Sequence, residues 1–346
     1  MTENYERIVQ RVLEGGEGVV PIFGDASTRS YYRVHVNHGS ASSLVAMKLA
    51  SDPLGSDEIV DGERPKDIPF LEVASYLRKG DIPVPEVVFV DRERGVILLE
   101  DLGDMTVERA LARGVDKDWL YLEAVRLLAR LHAYAAENPD SGCIAFRRSF
   151  GERLLRWELD HFREWLLETY VGAELSRSER SLFDDFRDDL ARRLSRLPKG
   201  FVHRDYQSRN LMLRSGRLFV IDFQDALEGP YVYDIVALLR DSYVAFTRGE
   251  VKHYLAEYLA LREASGLWSP TLAEAYQHFQ LQALQRKLKD AGRFVYIDRV
   301  RGNPKFLGNI PRSLAYAREA FESLPEYGEV FELVSRYLGQ DWGKKG

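Results

Sequence analysis

The segment FVHRDYQSRNLMLRSGRLFVIDFQDA, beginning at Phe201, concentrates residue types that do chemistry. Two apolar runs flank Ser215-Gly216, which is a hairpin signal. Pairing the strands through that two-residue turn sets Arg214 opposite Arg217, Leu213 opposite Leu218 and Asn210 opposite Ile221. Asn210 and Asp222 then share the open end of neighbouring strands, about 4.8 Å apart. An amide oxygen and a carboxylate converging there are hard donors. They suit Mg²⁺, which takes few protein ligands and completes its shell with phosphate and water. Asp205 lies five residues before Asn210, in the loop entering the hairpin, within reach of a substrate hydroxyl beside such a metal. Taken singly, each residue has an ordinary alternative: a loop Asp caps a turn, and an Asn before a strand ends one. It is the combination that stands out: His-x-Asp-x₄-Asn, an apolar hairpin, then Ile-Asp-Phe with its Asp 12 residues beyond Asn210.

Two unequal regions must position these groups. Before residue 100 the chain reads as strands VVPIF, SYYRVHV, SLVAMKL, PEVVFV and GVILLE, with one helix, PFLEVASYLRKG, opened by Pro69. The polar stretch Ser51 to Lys66 reads as a loop. After Glu100 the chain reads as helices over Asp116 to Tyr134, Phe150 to Tyr170, Ser178 to Leu194, Val251 to Ala264, Leu272 to Ala291 and Pro311 to Leu324. The expectation is an α+β chain: residues 1–100 a small mixed lobe, residues 101–346 a larger helical lobe carrying the hairpin, joined at Asp101-Leu102-Gly103-Asp104.

His203-Arg204-Asp205, Asn210 and Asp222-Phe223 resemble the catalytic loop and metal-binding motif of the protein-kinase-like superfamily. That resemblance implies a two-lobed kinase-like fold with an antiparallel N-terminal sheet. It implies Asp205 as catalytic base, Asn210 and Asp222 as Mg²⁺ ligands, and ATP as phosphoryl donor. Lys48, which interrupts the apolar run SLVAMKLA, would grip the α- and β-phosphates, with Glu72 as its carboxylate partner. Ser27 and Thr28, in FGDASTRSYYRV, would cover the phosphates, and the backbone from Glu100 to Leu102 would hold the adenine. Asp222 is followed by Phe-Gln rather than Phe-Gly, and only 12 residues separate it from Asp234, too few for a peptide-docking segment. The pattern is similar to aminoglycoside and choline phosphotransferases, which act on small molecules. GDASTRSYYRV, HRDYQSRNLM, IDFQDALEGPYVYDIVALLRDSY, LQRKLKDAGRF and GNPKFLGNIPR further resemble bacterial cell-wall sugar kinases, which phosphorylate the anomeric hydroxyl of N-acetylmuramate and N-acetylglucosamine in peptidoglycan recycling.

The residues fit a small polar acceptor. Glu158, Phe162 and Trp165 share one helix face, where a carboxylate can bond sugar hydroxyls and an aromatic ring can pack on a sugar; an amphipathic core helix is the plain alternative. Arg209 and Asp225 flank the catalytic groups. A carboxylate-bearing substrate would want a cation nearby, from among Arg29, Arg209, Arg286 and Lys287. An aminoglycoside or amino-alcohol kinase is the second reading. A nucleotide-binding pseudokinase acting through a protein partner is a third.

Composition narrows the classes. With 346 residues, 45% hydrophobic and 29% charged, the chain is neither disordered nor a small disulfide scaffold. A net charge of −6 gives no general attraction to nucleic acid or anionic lipid. The single cysteine, Cys143, can form neither an internal disulfide nor a cysteine zinc cage. Charges interrupt MTENYERIVQRVLEGGEG throughout, and no apolar run approaches the roughly 18 residues of a membrane span. A cytoplasmic protein with a small-molecule partner, and without nucleic-acid or membrane partners, is expected; the sequence does not specify an oligomeric state.

Overall fold

The computed structural model describes residues 4–22, 29–38, 41–49 and 61–343. Among these, the first region contains helix α1 (Tyr5–Glu14) and strands β1 (Val19–Ile22), β2 (Ser30–His38), β3 (Ala41–Lys48) and β4 (Asp61–Gly62). Helix α2 (Pro69–Lys79) and strands β5 (Val87–Asp91) and β6 (Val96–Glu100) follow. Five strands form an antiparallel sheet in the order β1-β2-β3-β6-β5.

Side chains alternate across this sheet with period two. Val34, Leu44, Ala46, Val96 and Leu98 point outward, where Ile8, Val9 and Val12 of α1 cover them. Met47, Ile97 and Leu99 point inward, into the main core with α2. Pro69 opens α2, and Arg78 and Lys79 complement the dipole of its last turn. Phe70 of α2 stacks on Phe223 at 4.9 Å, which carries one apolar core across both lobes.

The second region contains α3 (Val107–Ala112), α4 (Lys117–Glu137), β7 (Arg148–Ser149), α5 (Glu152–His161), α6 (Arg177–Ser195), β8 (Lys199–Val202), β9 (Leu211–Arg214), β10 (Arg217–Val220) and β11 (Leu227–Pro230). Helices α7 (Tyr233–Leu239), α8 (Arg248–Ala264), α9 (Leu272–Arg301), α10 (Ile310–Glu322) and α11 (Gly328–Leu338) complete it. The hairpin has the expected register, with Arg217 opposite Arg214 and Leu218 opposite Leu213. Ser215 (φ 49°) and Gly216 (φ 75°) both adopt the left-handed conformation that a tight two-residue hairpin turn needs.

Four features differ from the expectation. Of the stretch read as a loop, residues 51–60 lie outside the described residues, while Asp61–Gly62 forms a strand paired with Arg148–Ser149. The helix expected from Phe150 to Tyr170 changes to π-helical winding over Phe162–Val171. Helices α1, α3 and α11 and strands β7, β8 and β11, which join β4 in a four-stranded sheet, lie outside the elements expected. Finally, α9 does not end near Ala291 but runs through Gly292 to Arg301. Gly292 is a contact residue, not a stop: a Cβ there would lie 2.1 Å from the His161 carbonyl oxygen, at the α5–π-helix junction. No helix among the described residues is long and apolar enough to cross a membrane.

Gly292→Ala therefore gains helix propensity of about 1 kcal/mol but drives a methyl into backbone. We expect a net loss of about 1–3 kcal/mol and a melting temperature lower by several degrees. Gly308→Ala, which faces open space, should leave the melting temperature unchanged. Thermal denaturation of both variants checks the close approach; an unshifted Gly292→Ala would contradict it.

Candidate active site

Asp234 is the lone acid of the apolar helix YDIVALL, and it is fully buried. Its carboxylate accepts the backbone N–H of His203 at 2.7 Å and of Arg204 at 3.0 Å. His132 Nε2 lies 3.4 Å away. Arg204 has φ 76°, a left-handed conformation that costs a non-glycine residue about 1–3 kcal/mol. The two charge-assisted bonds from Asp234 hold it there. The next residue, Asp205, lines the cleft between the lobes.

His203 ties this loop to the strand leading to Asp222. Its Nε2 donates to the Ile221 carbonyl at 3.0 Å, and its Nδ1 accepts from the Asp205 N–H at 3.2 Å. Asn210 Nδ2 donates to the Asp205 carbonyl at 2.9 Å, which leaves the amide oxygen for a ligand. The Asn210 carbonyl in turn accepts from the Ile221 N–H at 3.0 Å, extending the hairpin pairing to its open end. Arg286, on α9, completes the support. Its guanidinium donates to the Arg204 carbonyl at 2.8 Å, the Tyr233 hydroxyl at 2.9 Å and Asp205 Oδ1 at 3.3 Å.

The cleft has a volume of about 1000 Å³. Asp205, Asn210, Asp222 and Asp225 line it together, with Glu100 and Leu102 of the connecting segment and Arg209. Gln224 Nε2 bridges Asp222 Oδ1 at 2.8 Å and Asp225 Oδ2 at 3.0 Å. Burial, and next repulsion from Asp205, raise the Asp222 carboxyl above the ordinary carboxylate range, with Asp225 adding to it. Carboxylates crowded in this way favour a cation among them. Among the described residues no group of three or more His, Cys, Asp or Glu side chains makes a ready cation cage. The donor set is smaller, an amide oxygen and a buried carboxylate, and it fits Mg²⁺ that takes its remaining ligands from phosphate and water.

Other expected residues lie elsewhere. Lys48 is exposed and does not line the cleft. Glu72 does not meet it: Glu72 Oε2 accepts from Arg147 at 2.8 Å and from the Ile144 N–H at 2.7 Å. The expected Lys48–Glu72 pair is therefore replaced by Arg147–Glu72. Ser27 and Thr28 lie outside the described residues. Glu158 is only 1% exposed and does not line the cleft; it accepts from Arg204 at 3.3 Å and from Gln285 at 2.7 Å, so it supports the loop from behind. Trp165 packs edge-on against Tyr296 with ring centroids 5.1 Å apart, also away from the cleft. Arg209 and Asp225 do line it. Arg209 makes a two-point pair with Glu108 at 2.9 and 3.0 Å and lies 3.5 Å over the Tyr243 ring.

Sequence reading missed Asp234 as an anchor and the support that Arg286 gives Asp205. Both left a signal: a lone acid inside an apolar helix, and basic residues at helical spacing. Arg286, Lys289 and Arg293 recur three and four residues apart, on one face of α9, and all line the cleft. Asp290 lies among these cations. Burial would raise its carboxyl, but Lys287, Lys289 and Arg286 hold it well below the usual range.

Known proteins resemble this chain in sequence and in fold. Residues 18–269 match the phosphotransferase enzyme family. The N-acetylmuramate/N-acetylglucosamine kinase of Pseudomonas putida is 33% identical over 322 residues, covering 90% of this chain and 86% of that protein. The kinase of the same name from Pseudomonas aeruginosa is 32% identical over 320 residues, covering 92% and 88%. Among solved structures, choline kinase LicA from Streptococcus pneumoniae superposes with a TM-score of 0.59 at 14% identity, covering 94% of this chain and 100% of that one. Its likeness is one of fold. With a family match over most of its length and relatives 32–33% identical across about nine-tenths of it, this chain belongs to the phosphotransferase enzyme family and is a kinase.

Proposed function

We propose that this kinase transfers the γ-phosphoryl group of ATP to the anomeric hydroxyl of an N-acetylated hexosamine of the N-acetylmuramate/N-acetylglucosamine class. The observation that carries the reading is the meeting of Asp205, Asn210 and Asp222 in one cleft that the cationic face of α9 also lines. The names of the curated relatives support the acceptor class. Asp205 accepts the proton of the C1 hydroxyl while that oxygen bonds to the γ-phosphorus. The bond to the β,γ-bridging oxygen breaks, and ADP leaves. The C1 hydroxyl is somewhat more acidic than the other ring hydroxyls, which suits a carboxylate base. Asn210 and Asp222 would hold Mg²⁺, which when bound offsets charge on the β- and γ-phosphates. Arg286 fixes the position of Asp205, so the protein contributes mainly orientation and electrostatics. Glu100 to Leu102 would present backbone to the adenine.

The acceptor side of the cleft argues against the cationic alternatives. Arg286, Lys289 and Arg293 dominate the α9 face, with Asp290 the acid between them. Such a face suits a neutral or carboxylate-bearing sugar better than an aminoglycoside or choline.

Two outcomes follow. Asp205→Asn should keep its fold and nucleotide affinity while kcat falls roughly 10²–10⁴-fold, the range for a lost general base; near-parent turnover in a coupled ADP-release assay would remove Asp205 from the chemistry. In the same assay the methyl glycoside of the accepted sugar should not turn over, whereas the 6-deoxy sugar should. Equal turnover of methyl glycoside and free sugar would contradict C1 as the acceptor.

A further inference from the structure

The sheet register decides which cation reaches the nucleotide. Residues directly opposite in an antiparallel pair share a face. Tyr31 faces Met47 and Arg33 faces Val45; Ser30 faces Lys48 and Tyr32 faces Ala46. On the neighbouring strand Ile97 faces Met47 and Val96 faces Lys48. Tyr31, Val45 and Leu99 line the cleft, while Ala46 and Val96 lie beneath α1. Met47 thus takes the inward position and Lys48 the outward one. A one-residue register slip would be needed to exchange them, and it would expose Leu44 and Ala46 while burying a lysine.

Arg29 continues the inward series of Tyr31 and Arg33 and lines the cleft. It hydrogen-bonds the Tyr31 hydroxyl, which burial and then the nearby Asp222 carboxylate push above its usual range. Arg29 and Tyr31 therefore stand together on the sheet side of the cleft that Asp222 also lines. Several other cleft cations make contacts within the second region. Arg204 pairs with Glu158, Arg209 with Glu108 and Arg286 with Asp205, while Arg109 donates to the Asp104 carbonyl. Arg33 pairs with Asp101 and Asp104 at the lobe connection.

We propose that Arg29, not Lys48, is the sheet-borne cation that contacts the phosphate chain of the bound nucleoside triphosphate. The proposal rests on the kinase reading above. A planar guanidinium offers two parallel donors to phosphate oxygens and stays charged at any working pH. Arg29 contacts the nucleotide's phosphates directly, while Glu72 serves the Arg147 contact and has no part in nucleotide binding.

The test compares Arg29→Met, Arg29→Lys and Lys48→Met with the parent. The readouts are KM for Mg·ATP and calorimetric affinities for Mg·AMP-PNP and adenosine. Arg29→Met should weaken Mg·AMP-PNP binding and raise KM roughly 10- to 100-fold, the range for a lost hydrogen bond to a charged group. Its adenosine affinity should stay at the parent value, which also shows that the variant is folded. Arg29→Lys should recover part of the loss, and Lys48→Met should lie within about twofold of the parent. Loss of Mg·AMP-PNP affinity in Lys48→Met with parent-like Arg29→Met would overturn the assignment. Equal loss of adenosine and Mg·AMP-PNP affinity in Arg29→Met would also overturn it, since the effect would not belong to the phosphates. A parent that binds Mg·AMP-PNP but phosphorylates no sugar would instead count against the acceptor reading, leaving the Arg29 comparison intact.

Discussion

Asp234 takes no part in the cleft, yet the geometry of the cleft depends on it. The loop that presents Asp205 has no regular backbone partner of its own, and Arg204 within it holds a left-handed conformation. A buried carboxylate that accepts two consecutive backbone N–H groups makes this conformation the low-energy one. From there the supports fan out. His203 bridges to Ile221, Asn210 to Asp205, and Arg286 to both the loop carbonyl and the Asp205 side chain. Glu158 braces Arg204 from behind. The Asp205 loop is thus held by hydrogen bonds from Asp234 and Arg286, distant in sequence, while Asn210 and Asp222 are bonded by near neighbours in the chain.

The same supports bring like charges together. Asp205, Asp222 and Asp225 face one cleft, with Gln224 as a neutral bridge between two of them. Such an arrangement costs stability until positive charge enters, and a kinase fills it with metal and uses it to hold phosphate. On α9 the sign reverses, with Arg286, Lys289 and Arg293 along one stripe. On the sheet side the inward row is Arg29, Tyr31 and Arg33. Charge is therefore laid out in three zones: the inward row of the sheet, the carboxylates at the end of the hairpin, and the basic stripe of α9.

Local spacing made the core of the site legible. The turn at Ser215-Gly216 determines the hairpin register, and the register brings Asn210 and Asp222 to one end, so those residues and Asp205 could be read without tertiary information. Lys48 shows where that reading stops. Alternation along β3 is plain from sequence, but which face looks into the cleft depends on α1 covering the other, and α1 was not foreseen. Glu158 and Trp165 do share a helix, yet α5 turns Glu158 toward the back of the loop and the π-helical winding carries Trp165 toward Tyr296. Gly292 looked like a helix end because nothing local reveals that another backbone passes there. In each case the missing information was a contact between elements far apart in the chain.

We propose that this cleft phosphorylates the anomeric oxygen of an amino sugar. Phosphorus–proton correlation spectroscopy on the product formed from Mg·ATP and N-acetylglucosamine or N-acetylmuramate tests it most directly. The predicted result is a cross-peak from the transferred phosphorus to the anomeric proton, H1, on a product that releases phosphate in mild acid. A cross-peak to the C6 protons, on an acid-stable product, would contradict it.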